Sequence, residues 1–134
     1  LGRLIVEDYM EGDILTSATT TAVERLLDAL NQHDVHEVMA AMTTDPLYED
    51  TLPKPDGARY VGREAVRSYW EAFLRRSRQA TIEIEEIFAV GDSCAVRHLY
   101  RWVEEDGTHG HVRGATLFHV RSGRVAEMRA YVKG

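Results

Sequence analysis

The sequence predicts an α+β fold in which three N-terminal helices pack on a curved antiparallel sheet. Two observations support this prediction. Apolar residues recur at helical spacing up to about residue 76, and after Gln79 they alternate with a period of two. Such a sheet covers one face with the helices, and a strongly curved sheet would form a cone that encloses a pocket. The 134 residues fit one domain.

Capping residues and apolar stripes predict the three helices. The spacing of Thr21 and Glu24 is that of a capping box and predicts the start of the first helix. Asp34 predicts the N-cap of a short second helix, which is expected to stop at Pro46 because a residue before proline avoids the α region. That helix is expected to carry Val35, Val38, Met39 and Met42. A third helix is predicted from about 62 to 76. Its apolar stripe consists of Val66, Tyr69, Trp70, Phe73 and Leu74.

Four segments with alternating apolar residues predict the strands of an antiparallel meander. They read TIEIEEIFAV, CAVRHLYRWV, HVRGATLFHV and RVAEMRAYV, and a glycine-containing turn follows each of the first three. The segment from Leu47 to Thr51 is expected to be extended but short. A loop with two prolines and a glycine follows it.

Composition narrows the range of partners. The net charge of −6 argues against nucleic acid or an anionic membrane as the main partner. No apolar run approaches the roughly 20 residues of a membrane span, and no signal-peptide pattern is evident, so a cytoplasmic location is expected. Cys94 is the only cysteine and is expected to be a buried apolar residue rather than a nucleophile. Residues 1–17 are interpreted as an N-terminal extension of unknown role.

Strand parity selects residues for the wall of a pocket. In CAVRHLYRWV, alternate residues place Val96, His98, Tyr100 and Trp102 on one face of the strand. The opposite face carries Ala95, Arg97, Leu99, Arg101 and Val103. The first face is the better pocket wall because it is aromatic and apolar with a few polar tips, whereas the arginines are expected to point outward.

Three fragments, in the order found here, resemble the nuclear transport factor 2-like superfamily. They read ALNQHDVHEVMAAM, YEDTLPKPDGARYVGREAVRSYWEAF and RGATLFHVRSGRVAEMRAYVKG. The sequence is most similar to the SnoaL-like branch, which is related to polyketide cyclases and ketosteroid isomerases. The resemblance covers roughly residues 20–134 and implies that residues 18–134 form a single SnoaL-like domain enclosing a small-molecule pocket.

The resemblance also implies roles for individual residues. Asp50 matches the general base of the isomerases, which follows a Glu and precedes a Pro-rich loop. The tyrosine that donates to the oxyanion in those enzymes corresponds to Leu26, and their second, acidic donor corresponds to Thr116. The acid–base Asp of the SnoaL-type cyclases also corresponds to Thr116. The base is therefore kept, whereas both partner groups are replaced.

Glu49 and Asp50 are adjacent, so in an extended segment only one of them can face the pocket. The resemblance favours Asp50. His98 and Tyr100 are candidate proton donors opposite this base. A structural alternative remains open, in which His98 is a hydrogen-bonded core residue and Asp50 only binds backbone N–H groups of the following loop. The predicted lining of the pocket consists of Leu26, Trp70, Phe73, Val96, Trp102, Thr116 and Phe118.

His109, His111 and His119 raise the question of a metal site. Zinc needs three or four converging ligands, and here two histidines flank a glycine in a predicted hairpin turn without a supporting cysteine or carboxylate pair. No metal is therefore predicted. No phosphate loop, nucleophile elbow or dinucleotide motif occurs either, so no cofactor is expected.

Two classes of function remain. The first is a cofactor-free isomerase, cyclase or dehydratase that moves protons on an apolar polyketide- or terpenoid-like molecule, with epoxide hydrolysis as a lesser variant. The second is a non-catalytic ligand-binding or dimerisation module. Retention of Asp50 favours the first, and loss of the acidic partners favours the second. A homodimer is predicted because the outer face of the sheet would remain partly bare. The apolar residues expected there are Ala95, Leu99, Val103, Leu117 and Tyr131.

Overall fold

A computed structural model describes residues 2–134 of the chain, with side chains described from residue 12 onward. The predicted α+β fold is confirmed: a curved, unclosed sheet of six strands packs against helices. The helices are α1 (Gly2–Asn31), α2 (Val35–Ala40) and α3 (Arg63–Arg76). The strands are β1 (Met42–Glu49), β2 (Arg59–Val61), β3 (Thr81–Val90), β4 (Ser93–Val103), β5 (His109–Arg121) and β6 (Arg124–Val132).

The sheet has the strand order β2-β1-β6-β5-β4-β3. The four predicted strands form the antiparallel meander β3 to β6, as expected from their alternation. The sheet is antiparallel except where β1 joins the end of the meander and runs parallel to β6. β1 and β2 were not predicted as full strands. Pro46 and the polar residues beside it hid the extended pattern of β1, and β2 has only three residues.

The first helix begins much earlier than predicted. The capping-box pattern at Thr21 does not mark its start, because α1 continues without interruption from Gly2 to Asn31. Thr16 and Thr19, which precede Thr21 in α1, bond to a turn of the sheet instead. Thr19 donates its hydroxyl to the carbonyl oxygen of Gly91 over 2.6 Å, and the Gly91 N–H donates to the hydroxyl of Thr16 over 3.1 Å. These polar residues therefore fix the helix to the β3–β4 turn.

α1 also crosses the predicted boundary between residues 17 and 18. That boundary therefore falls inside a helix, and the separation of an extension from the domain stays a prediction.

The second helix has the predicted N-cap. Asp34 accepts a hydrogen bond from the backbone N–H of Glu37 over 3.1 Å. The helix ends at Ala40, earlier than the predicted stop at Pro46, and Met42 lies at the start of β1. Pro46 is buried inside β1, at a place where the register with β6 is irregular and a missing N–H is tolerated.

Replacing Thr19 by valine is expected to lower the free energy of unfolding by about 0.5–1.5 kcal/mol. Thr19 is fully buried, and valine keeps its shape while removing the bond to Gly91. Thr20→Val is the matched control, because the Thr20 hydroxyl bonds only to the Thr16 carbonyl of the same helix turn. Urea melts of the two variants measure the difference. Equal stabilities would show that the contact with the turn contributes nothing.

The core lies between the helices and the inner face of the sheet. Residues of all three helices and of β1, β4, β5 and β6 form one buried apolar cluster. Cys94 belongs to it, and burial raises the pKa of its thiol to about 11, which agrees with the predicted apolar role. Within the described part of the chain, no helix combines the length and apolar character needed to cross a membrane.

Candidate functional site

Asp50 directly follows β1 and is held by the loop that separates β1 from β2. Its backbone N–H donates to the carbonyl of Ala58 over 2.9 Å, so the loop returns to its starting point. Gly57 permits this closure, since a Cβ atom there would lie 1.7 Å from the Asp50 carbonyl oxygen. Gly57 also has φ +80°, a conformation that favours glycine. The position of Asp50 is therefore fixed by backbone contacts.

The Asp50 side chain lies beside a buried tyrosine. Tyr48 donates its hydroxyl to Asp50 Oδ1 over 3.1 Å, and the Thr51 N–H donates to the same oxygen over 2.8 Å. The Thr51 bond is the backbone contact expected under the structural alternative, whereas the Tyr48 bond joins Asp50 to the interior. Glu49 points to the other side of the strand and forms an ion pair with Arg129, as the alternation predicts.

Two tyrosines, Tyr48 and Tyr69, determine the environment of Asp50. Burial raises the pKa of Tyr48, and the neighbouring Tyr69 and Asp50 raise it further. Burial also raises the pKa of Tyr69, and the Asp50 charge contributes in the same direction. Both hydroxyls therefore stay protonated at neutral pH and act as donors. The sequence analysis missed Tyr48 as a site residue, although the same alternation puts it on the Asp50 side of β1.

An aromatic cluster extends from Asp50 to the inner face of β4. Ring-centroid distances are 4.8 Å for Tyr48 and Trp70, 5.4 Å for Trp70 and Phe73, 6.0 Å for Phe73 and Tyr100, and 5.4 Å for Tyr100 and Trp102. The rings come from β1, α3 and β4, so three separate elements meet here. Of the predicted residues, Trp70, Phe73, Tyr100 and Trp102 are thus brought together.

Trp70 and Tyr48 are the buried members of this cluster, with 3% and 4% of their surfaces exposed, whereas Phe73 and Trp102 are half-buried. Trp102 lies over Gly110 of the neighbouring strand, where a Cβ atom would come within 2.4 Å of its ring. Its indole N–H donates to Glu104 over 2.8 Å. Trp102 therefore forms the outer end of the aromatic cluster.

His98 has a different set of partners. A hydrogen bond of 2.9 Å joins its Nε2 to the hydroxyl oxygen of Thr116, which is buried. Burial lowers the pKa of His98, so the ring is neutral at pH 7, although the charge of Glu85 acts in the opposite direction. Nδ1 is buried without a hydrogen-bond partner among the described residues. Asp50 and His98 thus bond to separate groups.

The remaining predicted lining residues lie deeper. Leu26, Val96 and Phe118 are buried core residues, each at most 3% exposed. They belong to the apolar cluster between α1 and the inner face of the sheet. The parity assigned to β4 fits this arrangement, since Arg97 and Arg101 are exposed on its opposite side.

Two grooves among the described residues lie away from the expected pocket. One of about 520 Å³ runs along α1 beside Gly123, and one of about 350 Å³ lies between α2 and α3 beside His33. Neither is lined by a predicted site residue. The aromatic side chains pack against each other where the pocket was expected, so ligand entry would require them to move.

The histidines considered for a metal do not lie in a turn. His109 and His111 are exposed residues of β5, which begins at His109 and therefore shortens the predicted hairpin turn. His119 lies farther along β5, with its Nδ1 3.7 Å from Asp92. Over the part of the chain that the structure describes, no three His, Cys, Asp or Glu side chains are grouped so that they could hold a metal ion.

A curved, unclosed sheet packed on helices is the cone fold of the nuclear transport factor 2-like class of protein. Residues 23–128 match the SnoaL-like domain family, so the chain belongs to that family and the predicted resemblance is confirmed. No curated protein matches the chain.

Solved structures share the fold. A nuclear transport factor 2-like protein of unknown function from Mesorhizobium loti has 33% identity and a TM-score of 0.74, covering 89% of this chain and 93% of that one. A Mycobacterium tuberculosis protein in complex with estradiol-17β-hemisuccinate has 24% identity and a TM-score of 0.73, covering 85% and 92%. An epoxide hydrolase from the same organism has 22% identity and a TM-score of 0.73, covering 88% and 84%. The last two likenesses concern the fold alone.

Proposed function

We propose that this SnoaL-like protein binds an apolar polyketide- or terpenoid-like molecule inside the cone and moves a proton on it without a cofactor. The observation that carries the proposal is the position of Asp50, a carboxylate fixed at the edge of an aromatic cluster. Asp50 is the proposed base. Isomerisation, cyclisation and dehydration all begin with a proton transfer of this kind.

The contacts of Asp50 suit a base that has to be held in place. Tyr48 and Thr51 both donate to Oδ1, and the Tyr69 hydroxyl also lies within reach of the carboxylate. These donors hold the carboxylate in place beside the aromatic cluster. Orientation of this kind is the usual support for a catalytic base.

His98 and Tyr100 are the proposed groups on the opposite wall. His98 is neutral because burial lowers its pKa, so it can donate or accept at Nδ1 according to its tautomer. Tyr100 is half-buried and its ring contacts Phe73 and Trp102. Either residue could return a proton to a substrate held between α3 and β4, with Thr116 orienting the histidine.

Entry of the ligand is proposed to displace the half-buried rings. Phe73, Tyr100 and Trp102 are less buried than Trp70 and form the outer part of the aromatic cluster. Arg76 lies against this part, with its Cζ atom 5.5 Å from the Phe73 ring centroid. The steroid ester bound by the Mycobacterium tuberculosis neighbour supports the idea that this fold opens for a large apolar molecule.

Hydrogen–deuterium exchange at carbon tests the proposal without knowledge of the substrate. The probe is 2-decalone in D₂O, followed by NMR. The carboxylate takes an α-hydrogen as a proton and releases it to solvent, the C–H electron pair passes into the enolate, and a deuteron from solvent then forms a C–D bond at the same carbon. We expect exchange to be faster with the protein than with acetate at the same concentration. Equal rates would contradict the proposed proton transfer.

The alternative is a non-catalytic ligand-binding or dimerisation module. The close packing of the aromatic rings favours it, and so does the outer face of the sheet. That face exposes Leu117 by 47%, Tyr131 by 54% and Phe88 by 60%. Leu99 does not belong to this patch, contrary to expectation, because it is only 4% exposed between the flanking strands of β4.

The free, buried Cys94 fits the cytoplasmic location that we also propose.

We expect the protein to be a homodimer that buries the Leu117 and Tyr131 patch against its copy. Sedimentation equilibrium should give twice the chain mass of 15.2 kDa at micromolar concentration. Leu117→Arg should shift the equilibrium to the monomer by placing a charge in the buried contact. Ile14→Arg is the control, because Ile14 is 66% exposed on α1, away from the outer face. A wild-type monomer would contradict this prediction.

A further inference from the structure

Two indole N–H groups in the chain have opposite environments. Trp102 donates to Glu104 over 2.8 Å and is half-buried. Trp70 is 3% exposed, and its Nε1 is buried without an acceptor among the described residues. An indole N–H can only donate a hydrogen bond, and a buried donor without an acceptor loses its hydration uncompensated. Most buried donors in native proteins are satisfied, so this group calls for an explanation.

The surroundings of Trp70 give the unpaired donor a place in the proposed site. Its ring centroid lies 4.8 Å from that of Tyr48 and 4.9 Å from that of Tyr69. Tyr48 is the residue whose hydroxyl donates to Asp50, so Trp70 is one side chain away from the proposed base. The Trp70 ring and the Asp50 carboxylate therefore both contact Tyr48.

The proposed site lacks a hydrogen-bond donor for the carbonyl oxygen of a ligand, and Trp70 can supply one. Removal of a proton next to a carbonyl leaves negative charge on the carbonyl oxygen, which needs a donor in place before the reaction. The resemblance to the isomerases implies that the positions of these donors hold Leu26 and Thr116 here. Leu26 has no polar group, and Thr116 is bonded to His98.

We propose that the Trp70 indole N–H donates a hydrogen bond to a carbonyl oxygen of the ligand, so that the ligand class is an apolar ketone, ester or thioester. This inference rests on the proposed pocket, and it adds the group that selects the ligand. An apolar molecule of the same shape without an acceptor oxygen leaves the indole unpaired. Binding should therefore discriminate between a carbonyl and a methylene group at one position.

NMR of the two indole groups tests this directly. The chain has two tryptophans, so the ¹⁵N-labelled protein gives two indole resonances, and Trp102→Phe identifies the one that belongs to Trp70. The probes are 2-decalone and its isostere 2-methylenedecalin. We expect the ketone to move the Trp70 indole proton downfield relative to the methylene analogue. Trp102, already bonded to Glu104, should show no such difference between the two probes.

Affinity gives a second, independent measurement. A neutral hydrogen bond corresponds to a preference of roughly 2- to 13-fold for 2-decalone over 2-methylenedecalin. Trp70→Phe should abolish that preference because it keeps an aromatic ring and removes the donor. If the variant does not fold, the two probes on the wild-type protein still decide, since both readouts require only the native indole.

The outcomes separate this inference from the proposed function. Binding of both probes with equal affinity and equal indole shifts overturns the role of Trp70 and leaves the pocket intact. Binding of neither probe overturns the inference together with the pocket. A selective indole shift without any α-hydrogen exchange supports the role of Trp70 in binding and rejects Asp50 as a base.

Discussion

Replacing Trp70 by alanine is expected to lower the free energy of unfolding by about 3–5 kcal/mol. Trp70 is 3% exposed, and its ring contacts those of Tyr48, Tyr69 and Phe73 with centroid distances of 4.8, 4.9 and 5.4 Å. Truncation leaves a cavity at the junction of α3 and β1, which the surrounding rings cannot fully fill. This loss is expected whether or not the protein is an enzyme. Urea melts monitored by circular dichroism measure it.

Trp102→Ala is the matched control for this prediction. Trp102 is the same residue type in the same aromatic cluster, but it is half-buried and lies over Gly110 near the end of β4. Its removal should cost clearly less than that of Trp70, because less apolar surface returns to water. Equal losses, or a loss below about 1 kcal/mol for Trp70→Ala, would contradict the assignment of the α3 stripe to the core.

The helices and strands whose apolar residues recur with a clear period could be predicted from the sequence. The strands β3 to β6 were found within a few residues, because their inner faces are apolar and their outer faces carry charges such as Arg97 and Arg101. The cap at Asp34 was also found, since a capping side chain acts on neighbours in the chain. Local patterns of this type depend on residues close in sequence.

Features that depend on distant contacts were missed. Thr16 and Thr19 look like residues that precede a helix, but inside α1 they bond to Gly91, more than 70 positions away. The strand β1 was understated because its pairing with β6 bridges most of the chain. No local pattern reveals a partner of that kind, and tertiary contacts here outweigh local preference.

In the candidate site, too, local patterns were predicted and contacts between distant residues were not. Alternation along β1 predicted that Asp50 and Glu49 lie on opposite sides of the chain. Alternation along β4 predicted that His98 and Tyr100 share the face opposite to that of the exposed arginines. It could not show that the rings of Tyr48, Trp70 and Phe73 pack together where an open pocket was expected. Side-chain packing in the interior depends on the volumes of all neighbours at once, which a periodic pattern does not contain.

Asp50→Asn is expected to lower the rate of α-hydrogen exchange in 2-decalone by about 10²–10⁴-fold, the usual contribution of a general base. Asparagine keeps the shape of the side chain and an oxygen that can accept from Tyr48 and Thr51, so the fold should change by less than about 1 kcal/mol. The amide has no basic oxygen for an α-proton. NMR of the exchange reaction and a urea melt of the same sample measure the two effects.

Glu49→Gln provides the matched control, because it removes the adjacent carboxylate on the opposite side of the strand. Glu49 forms its ion pair with Arg129 on the outer face, away from the aromatic cluster. Its replacement should leave the exchange rate unchanged, although the stability can fall slightly with the ion pair. Equal exchange rates in the two variants would remove Asp50 from the mechanism. If only Asp50→Asn lowers the exchange rate and the variant still folds and binds 2-decalone with the same affinity, the effect lies in proton transfer.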